Sequence, residues 1–477
     1  MPDGTPPITP EMQAIYDWID AHAEECIADL QRFVQQPSVS AQNIGLRECA
    51  DLVVQMMHAD GLPAAQHELA AGPPVIIGHI PSARSKKTLL CYSHYDVQPP
   101  EPIEAWTHGG PWSGAIVDGV LYGRGATDNK SGVLAFNKAA KAFLAVRGEV
   151  PVGLKFIIEG EEEIGSPNLG EWAARNKELL EADGMHCLDG SVEIGPDVPD
   201  VSLGLKSVLF VELVARGPRK DVHSLNFPLV PNPVWDLIHA LSTIMDRNRN
   251  ILIEDWAEGI YVPTEEDEGF LADKAARIDV DRMLDDLAVD EFVLGRSGVD
   301  ALRARTYEPT ANIQGIVAGY TGPGSKTIVP SEARVRMDFR LIPHMQPKAA
   351  AEKLRAHLKK HGFDNIEVRT FERAEEPYKI SAREDISQSI IAAAHEVYGE
   401  PPIVNGVSAE GAILKHVWIP CVLTGFANPG CNLHAPDENI HIDKYIQGIK
   451  YAAAIMEHFG RSWGGAGGDG GDGAGRE

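Results

Sequence analysis

The chain has 477 residues, 44% of them hydrophobic and 23% charged, with a formal charge of −26. That length predicts more than one core, and the composition is that of a soluble globular protein that folds without staples. The acidic balance repels nucleic acid and anionic lipid, which argues against both as partners. The cysteines Cys26, Cys49, Cys91, Cys187, Cys421 and Cys431 have no paired short spacing, so neither a zinc knuckle nor a disulfide framework is indicated and a reducing compartment is expected. The start MPDGTPPITPEMQ lacks the basic-then-apolar order of a leader, and no apolar run spans a bilayer, so a cytosolic location away from membranes is expected.

Helical spacing runs through 10–35 and 45–60, and the apolar runs PVIIGHI (74–80) and KTLLCYS (87–93) then read as buried strands. A helix from Lys130 to Val146, the strand VGLKFIIE (152–159) and a helix from about Pro167 continue the alternation. The pattern predicts an α/β layer with a mostly parallel sheet. From Val208 the order becomes strand VLFVELVAR, helix PNPVWDLIHALSTIMD, strands ANIQGIVAG and EARVRMDFRLIP, helix QPKAAAEKLRAHLKKHG and strand NIEVRTF. That β-α-β-β-α-β order is ferredoxin-like. An acidic, mostly helical stretch at about 260–308 interrupts it, and its run TEEDEGF (264–270) reads as a solvated face. The α/β pattern resumes near Ala382 with a helix through Glu400, the strand IPCVLTGF and a last helix from Asp443 to about Phe459. The expected organisation is a discontinuous domain, 1–206 plus 383–463, with a second domain inserted at 207–382 and a disordered Gly/Asp tail at 464–477.

Chemistry-bearing residues gather where strands end. In SHYD, His94 and Asp96 stand at i and i+2 on one face, so one can bind a metal while the other orients it. The turn GRGATDNKSG delivers Asp128 just before a helix, as a ligand or as an ordinary helix cap; it lacks the Gly-Lys-Ser/Thr of a phosphate loop. In IIEGEEEIGS an apolar strand runs into Glu159, Glu161, Glu162 and Glu163. Like charges packed there require cations or a retained proton, unless the run is an exposed acidic loop. Asp189 in CLDG and His434 in CNLHAPDENI complete a set of two histidines and several carboxylates suited to zinc, manganese or cobalt rather than calcium.

In this order, SHYD, GRGATDNKSG, EGEEEIGS, CLDG and NLHAPDENI resemble the dizinc metallopeptidase family of carnosinases, cytosolic non-specific dipeptidases, glutamate carboxypeptidases and the acetylornithine and succinyl-diaminopimelate deacylases. The resemblance covers about 10–460 and implies a metal-binding catalytic domain with an inserted lid and dimerisation domain, two divalent metal ions per chain and a homodimer. It implies that Asp128 bridges both ions, that His94 and Asp189 bind one and Glu163 and His434 the other, and that Asp96 partners His94. Glu162 then matches the general base that draws a proton from a metal-activated water, with Glu159 and Glu161 as spectators. His223 in KDVHSLNF resembles the histidine that reaches into the partner subunit's site, although Leu225 stands where many members have Gly. Arg340 in MDFRLIP resembles the arginine that binds the substrate's free carboxylate. Glu410 and Gly411 in SAEGAIL match a substrate-contacting loop, with Ile413 in place of the usual Ser. The implied reaction is amide hydrolysis of dipeptides or small peptides, with deacylation of N-acyl amino acids as the alternative. A single-metal enzyme and a non-catalytic ligand-binding relative are the remaining readings.

Overall fold

The computed structural model describes residues 8–189, 197–278, 280–371, 376–408 and 419–461. Its larger sheet has eight strands in the order Ala64–His67, Val75–Ile80, Gly153–Glu159, Thr88–His94, Gly184–Leu188, Cys421–Thr424, Asp200–Ser202 and Ile403–Asn405. The central pairings, from Gly153–Glu159 through Cys421–Thr424, are parallel, and antiparallel strands enter toward both edges. Apolar sequence explains the centre, because Thr88–His94 and Gly153–Glu159 are buried almost throughout and both faces of the sheet are covered. One face packs Phe136, Phe143, Phe156, Tyr445 and Phe459 beneath the helices Lys130–Arg147 and Ile442–Gly460. The other packs Leu90, Tyr92, Ile157 and Trp172. Register aligns the parallel strands so that His94 lies opposite Glu159 and Leu188 opposite Thr424. Four of the motif-bearing loops therefore leave from one edge, where ligands bind in open α/β sheets, while the loop of Asp128 follows Val120–Tyr122 in a separate three-stranded sheet.

The helical stretch at 10–35 divides into Pro10–Ala21 and Ala23–Val34. The break is His22, whose ring stacks on Trp18 at 3.9 Å between centroids while its N–H caps the first helix.

The second sheet is four-stranded and antiparallel, in the order Thr310–Ala318, Glu332–Leu341, Ser207–Arg216 and Glu367–Thr370. This is the ferredoxin-like arrangement expected from the sequence. Alternate residues Leu209, Val211, Leu213, Val335, Met337 and Phe339 bury one face with residues of the helices Pro233–Ile244 and Pro347–Lys360. The chain crosses between the two sheets twice, and the crossovers pair with each other, Leu205 against Tyr378 and Gly204 against Lys379.

The acidic insertion is not simply a solvated face. Asp267 of TEEDEGF is only 1% exposed. It completes a capping box with Thr264, accepts from Tyr307 Oη at 2.8 Å and from Tyr261 Oη, and pairs with Lys379 Nζ of the crossover at 3.0 Å. The helix it opens, Glu265–Arg277, packs Leu271 with Leu302, Tyr307 and Val407. Replacing Asp267 by Ala strands a buried ammonium and several donors, and is expected to cost about 3–5 kcal/mol in urea unfolding. A loss below about 1 kcal/mol would show that the hub is merely solvated.

His186, on the strand Gly184–Leu188, is fully buried, and burial pushes its pKa down to about 3. The unfolded imidazole titrates near 6.5, so the unfolded chain takes the proton first as pH falls. Stability from neutral His186 is therefore complete above about pH 6.5 and is lost as pH falls toward 3. His186→Gln keeps a partner for Thr424 Oγ1, which lies 2.7 Å from Nε2. The variant is expected to lose about 1.4 kcal/mol per pH unit less than the parent between pH 6 and 4, measured by denaturant midpoints. Parallel pH profiles would contradict this. No helix among the described residues is long and apolar enough to cross a membrane.

Candidate metal centre

Five loops converge at the carboxyl edge of the larger sheet. His94 ends its strand, and Tyr95 N–H donates to the Glu159 carbonyl at 2.8 Å, which ties the two strand exits together. Glu162 and Glu163 open a single 3₁₀ turn after Gly153–Glu159. Asp189 follows Gly184–Leu188, with its N–H on the Thr424 carbonyl at 2.8 Å. His434 comes from the loop before the last helix, with φ of 58°.

Two clusters result, His94 with Asp128 and Asp189, and Asp128 with Glu163 and His434. In each, one ligand atom per residue lies within 4.8 Å of the others. Asp128 is common to both: Oδ1 is 3.1 Å from His94 Nε2, and Oδ2 is 2.9 Å from His434 Nε2. Asp189 Oδ2 is 3.4 Å from His94 Nε2, and Glu163 Oε2 is 3.5 Å from His434 Nε2. Glu162 lines the same cavity, of about 360 Å³, yet belongs to neither cluster.

The donor set fits cations. His94 Nδ1 donates to the Asp96 backbone carbonyl at 3.0 Å, which turns the buried Nε2 toward Asp128 Oδ1 and Asp189 Oδ2. A ring nitrogen aimed at carboxylate oxygens needs positive charge there, either its own proton or a cation held between them. Burial and the Asp128 charge push Glu163 up to about 10, and burial with Asp189 and Asp128 holds Glu162 well above the usual carboxylate range, against the pull of His94. The same carboxylates raise His94, against its burial, and raise His434, so without a metal the cluster would hold its charge in check with protons; divalent ions at the two clusters would replace those protons.

Asp96 has a wider task than the sequence suggests. Its carboxylate lies 3.4 Å from His94 Nδ1, but it accepts the N–H groups of Glu162 and Glu163, each at 3.1 Å. Its backbone carbonyl takes the shorter contact with the imidazole, and its carboxylate lies alongside. The capping alternative for Asp128 fails, because the helix N-cap is Asn129, whose side chain instead donates to Asp189 Oδ1 at 2.6 Å. The exposed-loop alternative for the glutamates fails too. Glu159 is buried, with Tyr92 Oη and Ser166 Oγ on Oε1 at 2.7 and 2.8 Å, and burial lifts it to about 7. Glu161 is buried against Asn168.

The remaining predicted residues stand apart. His223 is exposed on the two-residue strand Val222–His223, where Nδ1 accepts the Leu225 N–H at 3.1 Å. Arg340 lies on Glu332–Leu341, paired with Val208 and Thr310, on the face away from the helices. Neither is among the described residues lining the cavity. Glu410 and Gly411, with Ile413, lie outside the described residues. Three supporting groups had no role assigned from sequence: Asn129, Glu438, and Gln98, whose Nε2 donates to Glu163 Oε2 at 2.8 Å. Their residue types are common, and only the folded contacts single them out.

Known proteins share this architecture. The human Beta-Ala-His dipeptidase is 29% identical over 93% of this chain and 92% of its own length. The Cys-Gly metallodipeptidase of Schizosaccharomyces pombe is 27% identical over 92% of this chain and 96% of its own. Among solved structures, an M20 family metallo-carboxypeptidase from Sulfolobus solfataricus superimposes with a TM-score of 0.83 at 36% identity, covering 91% of this chain and 99% of that one. Human carnosine dipeptidase 1 gives 0.71 at 26% identity, over 94% and 99%. Residues 90–458 match the family described as Peptidase family M20/M25/M40, and the chain belongs to that family.

Proposed function

We propose that this protein hydrolyses the amide bond of dipeptides or small peptides bearing a free carboxylate, with two divalent metal ions, zinc first among the candidates. The observation that carries the reading is Asp128, whose two oxygens face different histidines while Glu162 sits beside both clusters and belongs to neither. His94, Asp128 and Asp189 would hold one ion, and Asp128, Glu163 and His434 the other. When bound, such ions supply Lewis acidity that activates water and polarises the amide carbonyl. Glu162 accepts the water proton on its carboxylate and returns it to the departing amine nitrogen. Asp96 keeps the His94 ring and the Glu162–Glu163 turn in place through the contacts described above. Arg340 offers a planar two-pronged partner for the substrate carboxylate.

In this reading 1–206 with 383–463 forms the catalytic domain and 207–382 the lid. His223, absent from the lining of its own chain's cavity, serves the site of a second copy in a homodimer. Six free, buried cysteines accord with a reducing cytoplasm. The named activities of the human and fission-yeast relatives support a dipeptide substrate. One observation favours a second reading, deacylation of N-acyl amino acids: Leu225 is 80% exposed on the His223 turn and offers an apolar side chain there. A panel of dipeptides and N-acyl amino acids, each with zinc, manganese or cobalt, separates the two. Dipeptides are expected to have the higher kcat/KM; the reverse order makes the protein a deacylase, and turnover of neither overturns the reading.

A further inference from the structure

The loop carrying Asp128 is wrapped around one buried side chain from the other ligand loop. Glu438 is fully buried, four residues beyond His434. Its Oε1 accepts the N–H groups of Thr127 and Asp128, each at 3.1 Å, and its Oε2 accepts the Gly125 N–H at 3.0 Å. The Arg124 guanidinium, also buried, closes the shell on Oε2 at 2.6 Å and stacks over Trp106 at 5.5 Å. Around this core, Gly123 N–H donates to the Glu438 carbonyl at 2.9 Å, and Thr127 Oγ1 donates to the Asn439 carbonyl at 2.6 Å. The strand Asn439–His441 then pairs with Val120–Tyr122. The turn admits no bulk at Gly125, which has φ of +86° and whose added Cβ would lie 2.7 Å from Val97 Cγ1.

A carboxylate that accepts three backbone N–H groups and one guanidinium fixes the loop in both position and direction. We infer that Glu438 is a positioning residue that sets Asp128 between the two metal clusters and couples its loop to that of His434, with Arg124 holding Glu438 in turn. This inference rests on the reading of Asp128 as the shared ligand. Glu438→Gln replaces one acceptor oxygen by a donor facing Arg124 and the backbone, so it disturbs the loop without changing side-chain size.

The test is zinc affinity of the full-length protein, stripped of metal and titrated against a chromophoric chelator, for the parent and for D128A, E438Q and R124M. Groups that orient ligands typically contribute 10–100-fold in metal affinity. E438Q is expected to bind zinc about 10–100-fold more weakly with a native circular dichroism spectrum, with kcat reduced and KM unchanged; R124M is expected to show the same loss in smaller measure. A merely structural Glu438 would lower the melting temperature and leave zinc affinity at the parent value, and that result overturns the inference. If E438Q does not fold, parent affinity in R124M overturns it equally. Parent affinity in D128A instead removes the shared-ligand reading itself, so the two failures are distinguishable.

Discussion

Replacing Glu162 by Gln is expected to lower kcat by about 10²–10⁴-fold, the range for losing a positioned general acid–base, while metal content and fold stay as in the parent. The expectation follows from where Glu162 stands. It lines the cavity with Asp128, Asp189, Glu163 and His434 but contributes to neither cluster, so its amide substitute removes a proton acceptor without removing a ligand. Its backbone N–H on Asp96 Oδ1 is untouched by the change, so the turn that carries Glu163 should persist. Steady-state kinetics with metal analysis of the same preparation reads both halves. Unchanged turnover would remove Glu162 from the mechanism, and loss of metal would make it a ligand instead.

Asp128→Ala should be the more damaging substitution. It withdraws one oxygen from each cluster, leaving His94 with Asp189 and His434 with Glu163. Metal-ion catalysis is worth several kcal/mol, so loss of a properly held pair is expected to cut kcat/KM by at least about 10³-fold. Asp189→Ala removes a member of only the His94 cluster and should leave one ion bound at the other. Equal metal loss in the two variants would argue against a shared carboxylate.

Much of this centre was legible because apolar strands end where the chemistry begins. KTLLCYS and VGLKFIIE have the continuous hydrophobicity of central strands, so the residues after them, His94, Asp96 and the glutamates, had to emerge together at the carboxyl edge. The insert was equally readable, since the alternation in EARVRMDFRLIP faces Val335, Met337 and Phe339 toward the helices. Short edge elements were not legible. Asp200–Ser202 and Ile403–Asn405 span three residues each, too few for a periodic signal, and AAQH at Ala64–His67 has little apolar content. Asp267 looked like one acid among many because a charge run announces solvent, and only tertiary contact with Tyr261, Tyr307 and Lys379 reverses that. Glu438 was hidden for a related reason: its partners are mainly backbone N–H groups, which carry no residue identity.

Metal stoichiometry tests the paired centre most directly. Protein purified, stripped with chelator, reloaded with zinc and freed of excess ion is expected to hold two zinc ions per chain by elemental analysis, with dipeptide hydrolysis lost on stripping and restored on reloading. Saturation at one ion per chain, or hydrolysis that survives stripping, would contradict it.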